Sequence, residues 1–226
     1  DRVLIGYFSD APDGFLLGAH AAHVTERLGF LLAHRPGFVA PTVAARKLAT
    51  FDQLCEGRLA VHIISGGREA EQAMDGDYVD HGGRYRRSAE YVEVLRRIWT
   101  AHSPFDHEGE FYKFDRAYSD VKCAQEPHIP VYGGGGSDAA VELLSPGLDT
   151  FMLWGEPLKD TAAFIDRVRR AAGGRSINFS LSTRPILAET DDEAWDRARD
   201  ILAKITERTG GGANPKNHRA ENVGSQ

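Results

Sequence analysis

The sequence predicts an α/β fold in which parallel strands alternate with helices. Six apolar, strand-like segments recur along the 226 residues, and each is followed by a helix-like segment. Strands that alternate with helices are joined by crossovers and therefore run parallel. The segments also end in glycines or polar side chains, at the strand ends where a doubly wound sheet or a (β/α)8 barrel forms its ligand site. These observations leave both architectures open.

The strands are predicted from short apolar runs that stop at polar or glycine-rich loops. The runs that meet this criterion are residues 3–7, 29–33, 59–64, 129–132, 149–153 and 177–187. A small antiparallel hairpin with a His-Glu-Gly turn is predicted over residues 105–112.

The helices are predicted from apolar residues at helical spacing and from their end signals. The segments are residues 15–27, 42–54, 84–101, 139–144, 158–172 and 191–206. Pro41 suits the first turn of the second helix. Tyr91, Leu95 and Ile98 share one side of the third helix, and the last helix has an acidic first turn.

Composition excludes several classes of protein. The formal net charge is −6, which provides no basic surface for nucleic acid. No apolar run approaches the roughly 20 residues that cross a bilayer, and the first residues lack the features of a signal peptide. Cys55 and Cys123 form no C-x-x-C pair, so neither a disulfide framework nor a structural zinc site is expected. We expect a protein of the cytoplasm that binds no metal.

Four glycines follow the fourth predicted strand, and they predict a phosphate-binding loop. Gly134, Gly135 and Gly136 let the backbone approach a ligand, and Ser137 can cap the next helix, whose free N–H groups attract an anion. Asp138 stands where a G-x-G-x-x-G fingerprint requires glycine, so a dinucleotide site is not predicted. A tight turn without a ligand is the alternative.

Motifs along nearly the whole chain together resemble the bacterial luciferase-like flavin monooxygenases, most closely the alkanesulfonate monooxygenase branch. They are Arg35-Pro36-Gly37, Pro41-Thr42-Val43-Ala44-Ala45-Arg46, Ala49-Thr50-Phe51-Asp52-Gln53-Leu54, Gly57-Arg58-Leu59, Ile64-Ser65-Gly66-Gly67, Asp80-His81, Arg84-Tyr85, Tyr132 with the glycine run, Trp154-Gly155-Glu156-Pro157, Glu189-Thr190 and Glu193-Ala194-Trp195. The resemblance implies reduced FMN as a dissociable co-substrate, molecular oxygen as oxidant and a separate NAD(P)H-dependent flavin reductase. It also implies a homodimer or homotetramer.

The resemblance implies a (β/α)8 TIM-barrel-like fold, but the sequence contains fewer strand–helix units than a closed barrel requires. A closed barrel has eight strand–helix units, whereas the sequence shows six. We therefore expect residues 1–226 to form a single, apparently truncated barrel domain that is incomplete at both ends. Residues 209–226 are rich in glycine and polar side chains, and we expect them to be flexible.

By resemblance, ten residues are expected to bind the cofactor. The glycine loop and its serine would hold the phosphate, His81 and Tyr85 would contact the flavin or its phosphate, and small residues after the third strand would let the ring approach. His62 stands where the family often has a donor Asn, and Asp10 is a weaker candidate. The alternatives are a surface-loop His81, a packing Tyr85 and a core His62. The full set is Asp10, His62, Ser65, Gly66, His81, Tyr85, Gly134, Gly135, Gly136 and Ser137.

Three residues are expected on the substrate side. Arg184 would hold a substrate anion or the peroxide, Arg35 would add a second positive charge, and Trp154 would form a pocket wall. A strand-end ion pair for Arg184 and core packing for Trp154 are the alternatives. The sequence departs from the branch twice: Ser182 and Arg184 occupy the places of an Arg-x-His pair, and Ala11 replaces a cysteine. Both changes weaken the expectation of a sulfonate but leave the flavin class intact.

The sequence thus predicts a two-component monooxygenase that oxidises a small organosulfur or related compound. Two other readings stay open. A deazaflavin (F420)-dependent oxidoreductase would keep the fold and transfer hydride without oxygen. A non-catalytic flavin-binding protein would explain the missing units and the altered Arg-x-His pair.

Overall fold

The computed structural model describes residues 2–181 and 186–208. Its strands are β1 Arg2–Ile5, β2 Gly29–His34, β3 Leu59–Ile63, β4 Phe105–Glu108, β5 Lys113–Ala117, β6 Val131–Gly134, β7 Thr150–Leu153 and β8 Asn178–Leu181. Its helices are α1 Gly14–His23, α2 Pro41–Leu54, α3 Glu69–Met74, α4 His81–Thr100, α5 Leu158–Ala171 and α6 Asp191–Arg208. A π-helical segment, Ala140–Leu144, leads into a 3₁₀ turn, Ser145–Gly147.

Six strands form one parallel sheet in the order β1-β2-β3-β6-β7-β8, and β4 and β5 form a separate antiparallel pair. The register places five residues in one row across the sheet: Ala33, His62, Tyr132, Thr150 and Asn178. We call the face that carries this row the inner face. The predicted parallel α/β fold with six strand–helix units is confirmed.

Helices cover the opposite face of the sheet and form the core with it. Phe30 of β2 lies 5.7 Å from Phe51 of α2, and Phe151 of β7 lies 5.7 Å from Phe164 of α5. Phe30 and Phe151 lie on the face opposite to the inner-face row, because successive side chains of a strand point to opposite faces of the sheet. By contrast, α6 has no buried residue, and Trp195 on it is 65% exposed.

Three predicted elements need correction. Helix α3 was not predicted, because its six residues are too few to show a periodic pattern. Helix α4 begins three residues earlier than predicted, since Asp80 caps it by accepting a hydrogen bond from the Gly83 N–H at 2.6 Å. The hairpin exists, but its turn follows Glu108 and its second strand is β5, because Glu90 accepts the backbone N–H groups of Phe111 and Tyr112 at 2.9 Å.

Both cysteines are free thiols held in apolar surroundings. Cys55 on the core side is fully buried, and Cys123 is half-buried. Burial raises the pKa of Cys55 and raises that of Cys123 to about 11. Within the described ranges, no helix is both long and apolar enough to cross a membrane.

Two sequence predictions fall outside the described residues. One is the flexibility of residues 209–226. The other is the placement of Ser182 and Arg184 at the end of the last sheet strand.

Candidate functional site

The glycine loop after β6 is held in a shape that only glycine tolerates at its centre. Gly135 has φ +147°. A Cβ atom built on it would lie 2.6 Å from the Ala140 Cβ and 2.7 Å from the Tyr85 hydroxyl oxygen. Since real side chains do not approach that closely, the loop, the π-helical segment and helix α4 can meet only because residue 135 is glycine.

Ser137 opens the π-helical segment and leaves donors available. Its Oγ accepts a hydrogen bond from the Ala140 N–H at 3.2 Å, and its carbonyl accepts from the Val141 N–H at 3.2 Å. Among the described residues, no acceptor meets the backbone N–H groups of Gly136 and Ser137. Free N–H groups at the start of a helical segment attract an anion. Asp138 opposes an anion there, but its carboxylate is exposed and pairs with Arg167.

His81 and Tyr85 lie one helical turn apart at the start of α4, next to the glycine loop. Their rings are 5.0 Å apart in an edge-to-face arrangement, and the Tyr85 hydroxyl is hydrogen-bonded to Ser137. Burial raises the pKa of Tyr85 against the opposing effect of that hydrogen bond. The phenol therefore stays protonated at neutral pH. His81 is exposed but belongs to the helix, so the surface-loop alternative is wrong for it.

His62 lies on the inner face between Ala33 and Tyr132 and is 4% exposed. Burial lowers its pKa to about 4, so the ring is neutral at pH 7. Its buried Nδ1 has no hydrogen-bond partner. A buried N–H without an acceptor is rarer than a buried lone pair without a donor. A tautomer with the proton on Nε2 would leave Nδ1 as a buried lone pair and would let His62 donate a hydrogen bond on the inner face.

The residues after β3 can contribute main-chain atoms, more than side chains, to a ligand site. The Ser65 hydroxyl lies 2.9 Å from that of Ser88 on α4, so it is turned toward the helix layer. Gly66 has φ +80°, and the Gln72 side chain of α3 occupies the space that a Cβ would need, with its Nε2 2.2 Å from that position. A close approach by a planar ring at this point would therefore involve the Ser65 and Gly66 main chain.

Arg35 is hydrogen-bonded to neighbouring side chains. Its Nη2 donates to Glu71 Oε1 at 2.6 Å, its Nη1 donates to Ser9 Oγ at 3.2 Å, and the side chain is 3% exposed. The ring centroid of Tyr7 lies 4.5 Å from the guanidinium carbon. A cation in these surroundings is already neutralised and covered.

The remaining expected site residues differ in placement. Asp10 is exposed in the turn after β1. Trp154 is half-buried and follows β7 directly. Arg184 lies outside the described residues.

The sequence analysis did not single out the acidic side chains of α3 and of the segment that follows it in the chain. Glu71 pairs with Arg35, and Asp77 pairs with Arg87, which is also buried. Burial would raise the pKa of Asp77, but the hydrogen bonds from Arg87 and the Val79 N–H lower it. The available signal was a run of strong helix formers, Glu69 to Met74, closed by Gly76.

The luciferase-like monooxygenase family model matches residues 1–225, so the chain belongs to that family. The predicted family is thereby confirmed, whereas no finding singles out the alkanesulfonate branch.

Solved structures share the fold at low sequence identity. The coenzyme F420-dependent tetrahydromethanopterin reductase of Methanopyrus kandleri matches with a TM-score of 0.77 and 19% identity over 91% of this chain. EDTA monooxygenase (EmoA) of Chelativorans sp. BNC1 matches with 0.76 and 20% over 96%, and monooxygenase RslO1 of Streptomyces bottropensis with 0.74 and 23% over 97%. The chain spans 64%, 57% and 70% of those chains respectively. The predicted truncated TIM-barrel-like fold is confirmed by this match.

Proposed function

We propose that this chain forms the flavin-binding part of a two-component monooxygenase. The proposed reaction uses reduced FMN and molecular oxygen to oxidise a small organosulfur compound, such as an alkanesulfonate, or a related substrate. The observation that carries the proposal is the meeting of the glycine loop with His81 and Tyr85 at the carboxyl end of the parallel sheet, beside the His62 row. In α/β folds this edge is where ligands bind.

The phosphate of FMN would be held at the glycine loop. The free N–H groups of Gly136 and Ser137 would donate to its oxygens, and the Ser137 hydroxyl and His81 lie beside them. The backbone at Gly134 and Gly135 provides the close approach. The carboxylate of Asp138 is balanced by Arg167, so it does not prevent anion binding. The residues present thus fit a phosphate-bearing flavin.

The inner face would hold the isoalloxazine ring. When bound, reduced flavin supplies the electrons with which oxygen is activated. His62 would donate a hydrogen bond from Nε2, and its neutral state at pH 7 adds no charge to the pocket. Trp154 would exclude water as a wall, and Arg184 would hold a sulfonate or carboxylate of the substrate.

The proposed partners follow from the proposed chemistry. Reduced flavin used as a dissociable co-substrate has to come from a separate NAD(P)H-dependent flavin reductase. A homodimer or homotetramer is the proposed assembly. The two free thiols favour a reducing compartment, and the cytoplasm is the location that we propose.

A deazaflavin-dependent oxidoreductase is the second candidate. It is favoured by the fold match to the F420-dependent reductase, at a TM-score of 0.77. Anaerobic titration with reduced FMN and with reduced F420 separates the two candidates. We expect tight binding of reduced FMN, and tight binding of reduced F420 alone would contradict the monooxygenase proposal.

Catalysis is tested by oxygen uptake. The protein is supplied with reduced FMN and a panel of sulfonates and sulfones, and uptake is compared with the autoxidation of the same flavin without protein. Substrate-dependent uptake above that rate supports the monooxygenase. Uptake equal to it, in a protein that binds flavin, favours the non-catalytic flavin-binding reading.

A further inference from the structure

The guanidinium of Arg35 joins three separate segments of the chain. Arg35 follows β2, its Nη1 donates to Ser9 in the loop after β1, and its Nη2 donates to Glu71 of α3 at 2.6 Å. Asp75, just after α3, accepts a 2.7 Å hydrogen bond from the Ser9 hydroxyl and lies 3.8 Å from Arg35 Nη1. Two acidic side chains, Glu71 within α3 and Asp75 just after it, thus lie close to the charge of the buried Arg35.

Helix α3 needs such support because it is weak by itself. It has six residues, and its N-cap residue, Arg68, makes no capping hydrogen bond with its side chain. Isolated helices of this length do not persist in water. Gln72 adds a cost, since it is fully buried and neither polar atom of its side-chain amide has a hydrogen-bond partner among the residues that the structure describes.

The position of α3 matters for the site because of its contact with the residue after β3. The Gln72 side chain fills the space above Gly66, whose left-handed backbone turns the chain away from β3. If α3 moved away, Gly66 would lose the packing by Gln72 that restricts its main chain at the carboxyl edge of the sheet.

We propose that Arg35 is a positioning residue: through Glu71 it docks α3 against Gly66 and thereby fixes the main chain on which the flavin ring would rest. This inference rests on the proposed function for the identity of the ligand. It replaces the expectation that Arg35 supplies a free positive charge for an anionic substrate, because both terminal nitrogens are bonded and Tyr7 covers the guanidinium.

The two roles of Arg35 predict opposite effects for one substitution. If Arg35 bound a substrate anion, Glu71→Gln would release its charge and strengthen the binding of a sulfonate. If Arg35 docks α3, Glu71→Gln replaces the charged hydrogen bond from Arg35 with a weaker neutral one, so it weakens the site in the same direction as Arg35→Met. Combining the two substitutions should then add little, because both remove one interaction.

The test uses the full chain, the variants Arg35→Met and Glu71→Gln and their combination, with Arg86→Met as the control. Arg86 also pairs with a carboxylate, Glu110 at 3.0 Å, but both side chains are about half exposed. Trypsin cleavage after Arg68, whose side chain is 60% exposed, is followed by mass spectrometry as a measure of α3 undocking. Arg35→Met is the decisive variant in this assay, because it leaves the 3.7 Å pair between Arg68 and Glu71 in place. Reduced-FMN affinity is measured anaerobically, and KM is measured for an alkanesulfonate and for an uncharged sulfide.

We expect both single variants to be cleaved after Arg68 about tenfold faster than wild type, and to bind reduced FMN about tenfold more weakly, as the loss of a charged hydrogen bond predicts. KM should rise equally for the charged and uncharged substrates. Arg86→Met should behave as wild type. Urea unfolding of each variant shows whether it is folded. If Arg35→Met does not fold, Glu71→Gln is the milder substitution on which the test can rest.

Two results would overturn the proposal. One is wild-type protection of the Arg68 site in folded Glu71→Gln. The other is a lower KM for the sulfonate alone in that variant, which would restore the anion-binding role. The trypsin measurement requires no flavin. A wild-type protein that failed to bind reduced FMN would therefore contradict the proposed function while still deciding whether Arg35 docks α3.

Discussion

Ser137 has two roles within the glycine loop. Its Oγ accepts the Ala140 N–H and so starts the π-helical segment, and its own N–H has no acceptor among the described residues. A side chain at this position can therefore keep the cap and still change the charge that an incoming phosphate meets.

Ser137→Asp is expected to weaken FMN binding by about tenfold or more, because a second carboxylate beside Asp138 repels the phosphate. Riboflavin, which lacks the phosphate, should bind almost unchanged. Fluorescence titration with both flavins provides the measurement. Ser137→Asn is the matched control, since it can cap the segment without a charge. An equal loss of riboflavin affinity would count against the phosphate assignment.

Arg184→Ala is expected to lower turnover about a hundredfold while changing FMN affinity little, because the lost cation would act on the substrate or the reacting oxygen. Steady-state oxygen uptake and flavin titration measure the two effects. Arg199→Ala is the control, since Arg199 is exposed on α6 and pairs with the equally exposed Asp196 on the same helix. Equal losses in turnover and FMN affinity would show that Arg184 holds the flavin.

In the loop between β6 and the π-helical segment, the same residues have an unusual backbone conformation and belong to the candidate site. Gly135 and Gly173 both have positive φ, but only Gly135 is surrounded: nothing lies within 4 Å of a Cβ built on Gly173. Gly173, at φ +66°, lies near the ordinary left-handed minimum, whereas Gly135, at φ +147°, combines a less favourable angle with close neighbours. An alanine at residue 135 therefore meets both costs, and an alanine at residue 173 meets only the smaller one.

Gly135→Ala is expected to lower the free energy of unfolding by about 3 kcal/mol, from left-handed strain and the collision with Tyr85 and Ala140. Gly173→Ala should cost only about 1 kcal/mol. Urea unfolding measures both. FMN binding should weaken only in Gly135→Ala, and equal costs for the two variants would mean that the loop relaxes around the new methyl group.

The predictability of each element from sequence depended on its length and its periodicity. The strands β2, β3 and β7 are mostly apolar, the apolar run 129–132 leads into β6, and α2 and α4 repeat apolar residues over 14 and 20 residues, so all were found. Helix α3 was missed because six residues are too few to show a helical period, and its position against the sheet depends on tertiary contacts of Glu71 and Asp75. The tight turn at the glycine loop could be predicted because glycine acts there through the backbone, whereas the engagement of Arg35 depends on residues 26 and 36 positions away. Phosphate binding at this loop stays a prediction.

At the scale of the whole molecule, the sequence indicated parallel strands but not the row of side chains that the register creates. Ala33, His62 and Tyr132 come from three strands separated by long crossovers, and their alignment follows from pairing in the sheet. A buried histidine in that row could be named as a candidate from its strand position. Its unpartnered Nδ1 and its neutral state could not, because they depend on what surrounds it.

The stability of the protein should fall as the pH drops from about 6.5 toward 4. Burial lowers the pKa of His62 to about 4, and burial together with Lys47 does the same for His34. Because both values lie below the ordinary 6.5, the unfolded chain takes up protons first, and acid favours unfolding. Each histidine contributes a slope of up to about 1.4 kcal/mol per pH unit in this window.

Urea unfolding at pH 7, 6 and 5 measures this slope. His62→Asn should remove about half of the histidine contribution, since asparagine does not titrate there. His81→Asn replaces an exposed histidine and should leave the slope as in wild type. A wild-type slope that His62→Asn does not change would mean that His62 titrates freely in the folded protein.

The two cysteines make the protein convenient for site-directed spectroscopy. With Cys55 buried and the pKa of Cys123 raised to about 11, almost no thiolate exists at neutral pH, and maleimide dyes should react with neither within minutes. A cysteine introduced at the exposed Met74, at the end of α3, could therefore be labelled selectively in the natural background. Its fluorescence would report in real time whether that helix leaves the sheet as flavin arrives.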